Sequence, residues 1–322
     1  MKHLVSPYLL AGHSIAPGSQ KNFELPAFRL PTQTMISLPI SVIHGQKPGP
    51  TLGLCAAIHG NEINGIESIR RITEKLDPKN LSGTVICVPV VNVYGFMSDS
   101  RYLPDGRDLN RSFPGSNRGS MASRLAFLFR TEVIERCDHV IDFHTASSGK
   151  KNHPQIRCDL THQSSFNLAK VFAAPLIVHS KTISGSLREC AASTDCSMLV
   201  YESGEPSRFN QRSVQIAVEG CFRVMRRLKM VTKDPEAKKG KSVICEETRW
   251  IRASRSGIFL SHVDLGDRVK NHQIIGSINN IFGKPLSNIR SPYAGVLVGI
   301  STHPSVHQGD ALIHIGKQNP SL

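Results

Sequence analysis

Four residues in the first two thirds of the chain are of types that bind metal ions or move protons. His59 and Glu62 are separated by two residues in the segment His59–Glu62 (HGNE), and His144 and Glu202 follow much later. An imidazole and a carboxylate at this spacing can share one zinc ion and leave room for a third ligand and a water. The spacing alone is weak support, because a chain with 14 His produces such matches by chance.

Each of these residues follows a short apolar run of the kind that forms a buried strand. The runs are Thr51–Ile58, His139–Phe143 and Met198–Tyr201. Because the carboxyl ends of parallel strands meet at one edge of a sheet, we expect the four side chains to converge. They would form a His₂Glu metal site with a separate Glu as general base.

A polar segment between the second and third strands supplies further candidates. Within Asp105–Arg111, Arg111 offers a planar fork suited to a carboxylate, and Asn110 can both donate and accept hydrogen bonds. Arg101 lies shortly before this segment and could stabilise an oxyanion beside a metal. We therefore predict substrate contacts from this part of the chain.

The elements that must position these residues predict an α/β fold with a small β domain behind it. Strand and helix patterns alternate after an opening β segment, which indicates a mostly parallel or mixed central sheet flanked by helices. A polar, charged stretch at 232–242 is typical of a linker. Short apolar runs from 243 to 322 predict a small all-β sandwich. The predicted domains are 1–231 and 243–322.

Composition describes an ordinary globular protein and excludes several classes. No apolar run reaches the length of a transmembrane helix, and the first ten residues lack the core of a signal peptide. The eight Cys are scattered without a Cys-x-x-Cys pair, which favours a reducing cytoplasm. A net charge of +14 is spread along the chain without interleaved aromatics, so we expect neither nucleic-acid nor membrane binding. The oligomeric state, including a homo-oligomer, stays open.

Four motifs together resemble the succinylglutamate desuccinylase/aspartoacylase family of zinc-dependent amidohydrolases, which are related to carboxypeptidase A-like peptidases. They are His59–Glu62, Asp108–Arg111, Asp142–His144 and Glu202–Glu205, in the family's order. The region after the linker also resembles the family's C-terminal domain. The resemblance implies hydrolysis of the amide bond of a small anionic N-acyl amino acid.

The same resemblance implies roles for individual residues. One zinc ion per chain would be bound by His59, Glu62 and His144. Glu202 would be the general base, with Glu205 as the weaker claimant. The remaining implied roles are substrate binding by Asn110, Arg111 and Arg188, polarisation of the scissile carbonyl by Arg101, and closure of the site by Tyr293.

Several alternatives stay open on the sequence. The His-x-x-Glu and distal His pattern is shared with metallocarboxypeptidases that act on peptides. A catalytically silent binding protein is a further alternative, against which the intact ligand set and Glu202 argue. Asp142 is either a structural carboxylate or a partner that orients a histidine ligand. We expect the C-terminal β region to wall the entrance and restrict substrate length. The sequence does not name the acyl group or the amino acid.

Overall fold

The structure, a computed structural model, describes residues 5–194, 196–232 and 241–318. The strands are β1 Tyr8–Leu10, β2 His13–Ile15, β3 Ser19–Arg29, β4 Met35–His44, β5 Lys47–Ala56, β6 Ser82–Val88, β7 His139–His144, β8 Lys150–Cys158, β9 Leu176–His179, β10 Ser197–Gly204, β11 Val243–Arg252, β12 Gly257–Ser261, β13 Arg268–Val269, β14 Ile274–Asn279, β15 Pro285–Arg290, β16 Gly295–Ser301, β17 Ser305–Val306 and β18 Ala311–Gln318. The helices are α1 Asn64–Lys75, α2 Val93–Met97, α3 Met121–Glu132, α4 Gln163–Phe172, α5 Leu187–Ala192 and α6 Gln211–Arg227, with 3₁₀ turns at Leu109–Arg111 and Ile134–Arg136.

A single large sheet organises the molecule. Its 12 strands run in the order β13-β16-β18-β11-β9-β8-β10-β7-β5-β6-β4-β3. The inner strands β10, β7, β5 and β6 are parallel to one another, whereas β8 and the outer strands include antiparallel pairs. The sheet is therefore mixed, and helices pack on it around buried apolar clusters.

The parallel strands form where the sequence predicts them. In β5 the residues from Leu52 to Ala56 are buried on both faces, as their unbroken apolar character requires. Strand β6 ends at Val88, directly before Pro89, which has no N–H for the ladder. The side chain of Ser120 caps α3 by accepting the backbone N–H of Ser123.

The ends of two helices are defined by local structure. Helix α3 ends at Glu132 and is followed by the 3₁₀ turn Ile134–Arg136. Helix α6 spans Gln211–Arg227, with the side chain of Asn210 as its N-cap. The strand β8 was not predicted, and it pairs antiparallel with β10.

Every described element from Val243 to Gln318 is a strand, but these strands do not stand apart from the central sheet. β11 pairs in parallel with β9, and β16 pairs antiparallel with β8. A second sheet, ordered β15-β14-β12-β17, packs on them over its own apolar cluster. Most of the predicted linker lies outside the described residues, and the division into two domains stays a prediction. Among described helices, none is long and apolar enough to cross a membrane.

Candidate metal and substrate site

The sheet brings the predicted metal residues to one edge. His59 and Glu62 lie in the turn between β5 and α1, and His144 is the last residue of β7. Glu202 lies on β10 directly beside His144 in the parallel register. The turn needs a glycine at position 60, because a Cβ there would lie 1.9 Å from the backbone carbon of Gly95. Parallel pairing of β5, β7 and β10 therefore assembles the site.

The Glu62 carboxylate lies between the two imidazoles. Its Oε1 is 2.8 Å from Nδ1 of His59, and its Oε2 is 2.8 Å from Nδ1 of His144. Potential ligand atoms of these three residues all lie within 4.8 Å of one another, and all three side chains are buried. This His-Glu-His cluster has the donor set of a zinc site with an open position.

The outer nitrogen of each imidazole is held by a second carboxylate. Nε2 of His59 lies 3.1 Å from Oδ1 of Asp108, and Nε2 of His144 lies 2.7 Å from Oδ2 of Asp142. An ionised carboxylate only accepts, so each Nε2–H donates to its aspartate, and Nδ1 is the nitrogen of each imidazole that faces Glu62. Carboxylate–histidine pairs of this kind orient metal ligands in proteins.

This arrangement fits a cation between the three residues. Nδ1 of His59 is buried and has no hydrogen bond with any residue that the structure describes, although a Glu62 oxygen lies only 2.8 Å away. Two lone-pair-bearing atoms at that distance repel each other unless a proton or a metal ion stands between them. Imidazole nitrogens and a carboxylate oxygen are ligands that zinc accepts.

The pKa shifts of the cluster also indicate a site that favours positive charge. Burial alone would raise the pKa of Glu62, but His59 and His144 outweigh it and hold that pKa well below its usual range. Burial alone would lower the pKa of His144, but the carboxylates of Asp142 and Glu62 raise it well above its usual value. The pKa of His59 is raised against burial by Glu62 and Asp108. The three carboxylates therefore create a strong negative field at the ligand atoms.

Arg101 closes one side of the cluster. Its Nη1 donates to Oε1 of Glu62 at 3.2 Å, and its Nη2 donates to Oδ2 of Asp108 at 2.9 Å. Burial raises the pKa of Asp108, but His59 and Arg101 together hold it well below its usual range. The guanidinium also lines the cavity, so it lies where the sequence analysis expects a polarising cation.

A cavity of about 270 Å³ opens beside the cluster. Glu202 lines it, and Oε2 of Glu202 accepts a 2.8 Å hydrogen bond from Nδ2 of Asn152. Nε of Arg157 lies 3.2 Å from the same oxygen, without the direction of a hydrogen bond. The carboxylate is thus held in the cavity wall by two neighbours on β8.

The predicted substrate-binding residues all line this cavity. They are Asn110, Arg111 and Arg188. Oδ1 of Asn110 accepts the backbone N–H of Leu187 at 2.8 Å, which ties the 3₁₀ turn to the start of α5. Tyr293 is not a lining residue, and its hydroxyl donates to the carbonyl of Ile315 at 3.0 Å. Glu205 faces Lys151 and Arg208 instead of the cavity.

Several lining residues escaped the sequence analysis. Asn152, Arg157 and Lys150 come from the unpredicted strand β8, and Trp250 comes from β11 beyond the linker. Asp108 belongs to one of the four family motifs, and the structure gives it the further role of orienting His59. Trp250 stands out in the sequence because it is the only Trp of the chain. Nothing in the sequence, however, indicates that it lies near the strand ends that carry the metal residues.

Fold and site together define a mixed α/β protein that presents a His-Glu-His cluster at the carboxyl ends of its parallel strands, an arrangement found in metallohydrolases. Residues 48–228 match the succinylglutamate desuccinylase/aspartoacylase catalytic domain. The chain belongs to the succinylglutamate desuccinylase/aspartoacylase family.

Individual relatives agree with this assignment along nearly the whole chain. The N-alpha-acetyl-L-2,4-diaminobutyric acid deacetylase of Halomonas elongata is 24% identical over 303 residues, which are 89% of this chain and 87% of the relative. A succinylglutamate desuccinylase/aspartoacylase structure from Rhodobacter sphaeroides superposes with a TM-score of 0.83 at 24% identity, covering 93% and 96% of the two chains. The product-bound ectoine utilization protein EutE (DoeB) of Ruegeria pomeroyi gives 0.81 at 22% identity, covering 92% and 94%. These structures share the fold.

Proposed function

We propose that this protein is a zinc-dependent deacylase that hydrolyses the amide bond of a small N-acyl amino acid. The observation that carries the proposal is the Glu62 carboxylate held between two Nδ1 atoms whose imidazoles are each oriented by an aspartate. Family membership supports the deacylase chemistry. The Halomonas elongata relative is named for the deacetylation of an N-acetylated amino acid, which is the same reaction type.

Zinc would be held by His59, Glu62 and His144, and when bound it would polarise the substrate carbonyl and lower the pKa of a water. Asp108 and Asp142 accept the Nε2–H of the two imidazoles, which leaves Nδ1 of each as the atom that would bind the ion in place of its proton. These five side chains arrange the donor atoms before the ion arrives, which reduces the reorganisation that binding requires.

Glu202 is the proposed general base that takes a proton from water and returns it to the leaving nitrogen. It lies beside His144 in the register, so its carboxylate faces the same cavity as the metal cluster. Asn152 and Arg157 hold the carboxylate in place. Arg101, which contacts Glu62 and lines the cavity, would stabilise negative charge on the carbonyl oxygen.

Substrate carboxylates are assigned to the cations at the other side of the cavity. Arg111 would bind the α-carboxylate through its planar fork, with Asn110 and Arg188 as further contacts. The small cavity, walled by Trp250 from β11, favours an N-acyl amino acid over a peptide. The eight Cys are free and buried, which agrees with the reducing environment of the cytoplasm.

Measurement of amine released from a panel of N-acyl amino acids by the zinc-loaded protein tests the proposal. Glu202→Gln should retain zinc and lose turnover by about 10²- to 10⁴-fold, because an amide cannot accept the proton. The matched control is Glu205→Gln, which changes a glutamate outside the cavity and should keep full turnover. Full activity of Glu202→Gln would remove Glu202 from the mechanism. Hydrolysis of blocked dipeptides alone would favour a carboxypeptidase.

A further inference from the structure

The carboxylate of Glu202 is held in the cavity wall by a hydrogen bond from Asn152. Nδ2 of Asn152 donates to Oε2 of Glu202 at 2.8 Å, and the Asn152 side chain is buried. Nε of Arg157 adds positive charge 3.2 Å from the same oxygen, but without the direction of a hydrogen bond. Any feature that fixes the amide of Asn152 therefore also helps to fix the proposed general base.

An irregularity in β8 turns Asn152 toward Glu202. In the antiparallel pairing of β10 with β8, Glu202 lies opposite Gln155 and Gly204 lies opposite Asn152. β8 thus uses one residue more than β10 over this interval, which is a β-bulge. Because side chains alternate between the faces of a strand, a regular ladder would place His153 opposite Gly204 and turn Asn152 to the far face. The extra residue brings the Asn152 amide to the face that carries Glu202.

Strands from the C-terminal part of the chain continue the row of the sheet that contains Asn152. Gly299 of β16 is the direct partner of Asn152, and His314 of β18 is the direct partner of Gly299. Trp250 of β11 follows, and its indole stacks on His314 with ring centroids 4.7 Å apart and an interplanar angle of 6°. Gly299 therefore separates the Asn152 amide from an aromatic stack.

The missing side chain of Gly299 leaves the space that the Asn152 amide needs. A Cβ at position 299 would lie 2.8 Å from Oδ1 of Asn152, which is too close, but 3.5 Å from Cβ of His314, which is an ordinary contact. Oδ1 is the end of a side chain that can rotate, whereas the backbone on both sides is held in strand ladders. The amide would therefore yield first, and its rotation would carry Nδ2 away from Glu202.

We propose that Asn152 and Gly299 are positioning residues for the general base, so that the C-terminal strand β16 sets the orientation of Glu202. Asn152 acts by donating to Oε2, which leaves Oε1 to take the proton from water. Gly299 acts through Asn152 by leaving room for its amide. The inference rests on the proposed function, in which Glu202 is the base, and it gives the C-terminal β region a part in turnover besides walling the entrance.

Three single substitutions measure the effect on the zinc-loaded protein. Asn152→Ala should reduce kcat for the best N-acyl amino acid by about tenfold to a hundredfold, with KM within about twofold, because a charge-assisted hydrogen bond is lost. Asn152→Asp keeps the shape of the side chain but cannot donate when ionised, so its kcat should fall at least as far. Gly299→Ala should reduce kcat by about tenfold, also with little change in KM.

The double variant Asn152→Ala/Gly299→Ala shows whether Gly299 acts through Asn152. With the amide absent, the new methyl group has nothing to displace, so the double variant should retain kcat within about twofold of Asn152→Ala alone. The matched control is Gly316→Ala on β18, where a Cβ would lie 2.6 Å from Sγ of Cys245. This change crowds the same sheet without contacting Asn152 and should keep the wild-type kcat.

The Asn152 amide provides a readout that needs no turnover. In protein grown with ¹⁵N-labelled asparagine, the side-chain NH₂ signal of Asn152 is identified by its disappearance in Asn152→Ala. Glu202→Gln replaces the charged acceptor and Gly299→Ala displaces the donor, so both should shift this signal, whereas Gly316→Ala should not. Zinc affinity of Gly299→Ala should stay within about twofold of wild type, because Gly299 and Asn152 lie outside the ligand cluster.

The possible failures are distinguishable. A Gly299→Ala protein with wild-type kcat and an unshifted Asn152 signal would overturn the coupling, and so would a loss of kcat that adds to that of Asn152→Ala. Unfolding of Gly299→Ala, detected by circular dichroism, would also overturn it, since the amide would then not be the part that yields. Absence of N-acyl amino-acid hydrolysis in the wild type would overturn the proposed function, and the Asn152 signal would still decide whether Gly299 positions the amide.

Discussion

Replacement of Asp142 by Asn distinguishes two roles for this carboxylate, orientation of a metal ligand and a merely structural one. Asp142 is 1% exposed, and its Oδ2 accepts from Nε2 of His144 at 2.7 Å. Its Oδ1 lies 3.4 Å from the thiol of Cys55. If the new amide turns its NH₂ group toward His144, it forces the proton onto Nδ1 and removes the lone pair that would bind zinc. If it turns its oxygen, the imidazole loses the adjacent negative charge.

Either orientation weakens the ligand, so zinc affinity should fall by about 10- to 100-fold, or about 1.4–2.8 kcal/mol. Competition with a chromophoric chelator measures it directly. Asp138→Asn is the matched control, because Asp138 accepts the backbone N–H of Thr51 at 2.7 Å and precedes β7, at the opposite end of that strand from His144. An Asp142→Asn protein that binds zinc within about twofold of wild type, or an equal loss in Asp138→Asn, would refute the orienting role.

Three further perturbations test the site and its surroundings. Gly60→Ala should lower the free energy of unfolding by about 1–3 kcal/mol and reduce zinc affinity, because the new Cβ meets the backbone of Gly95 and Phe96. A urea titration that gives the wild-type free energy of unfolding would contradict this close approach. Removal of zinc with a chelator should lower Tm by roughly 5 °C when the wild type is compared at free zinc about 100-fold above Kd, and an unchanged Tm would argue against a specific ion. His314 stays neutral in the fold down to about pH 3, whereas the unfolded chain protonates it near pH 6.5, so stability is lost as pH falls between those values. His314→Phe keeps the stack on Trp250 but cannot titrate. Between pH 7.5 and 5 its free energy of unfolding should therefore fall by about 1–2 kcal/mol less than that of the wild type. Equal decreases in urea titrations would show that His314 does not cause the loss of stability.

The residues at the ends of the parallel strands were predictable, because the direction of a buried strand determines at which edge of the sheet its last residues lie. An apolar run that fills a central strand has a fixed direction, so its next polar residue falls at the carboxyl edge of the sheet. That rule places His59, His144 and Glu202 together without any knowledge of side-chain conformation. The register of β7 and β10, which puts Glu202 beside His144, could not be derived, since parallel pairing of two buried strands has no sequence signature.

The cavity residues on β8 and β11 were not predictable for a topological reason. Strand β8 runs antiparallel to β10, so alternation of strands and helices gives no indication that its residues reach the same edge. Arg157 and Lys150 consequently look like solvated charges in the sequence. Trp250 is even harder to predict as a cavity residue. It belongs to β11, a strand far along the chain, and its indole can face the cavity only because β11 pairs with β9.

The strand pairing that brings the β8 and β11 residues to the cavity also determines how the cavity entrance is built. β11 is bonded to β9 and β16 is bonded to β8, so the wall that carries Trp250 shares backbone hydrogen bonds with strands of the site itself. Movement of that wall as a separate lid would break these ladders, each bond of which contributes about 1 kcal/mol. We therefore propose that side chains such as Trp250 and Lys150, on a fixed frame, set the substrate length, and that substitution at those positions can change selectivity while the metal cluster stays intact.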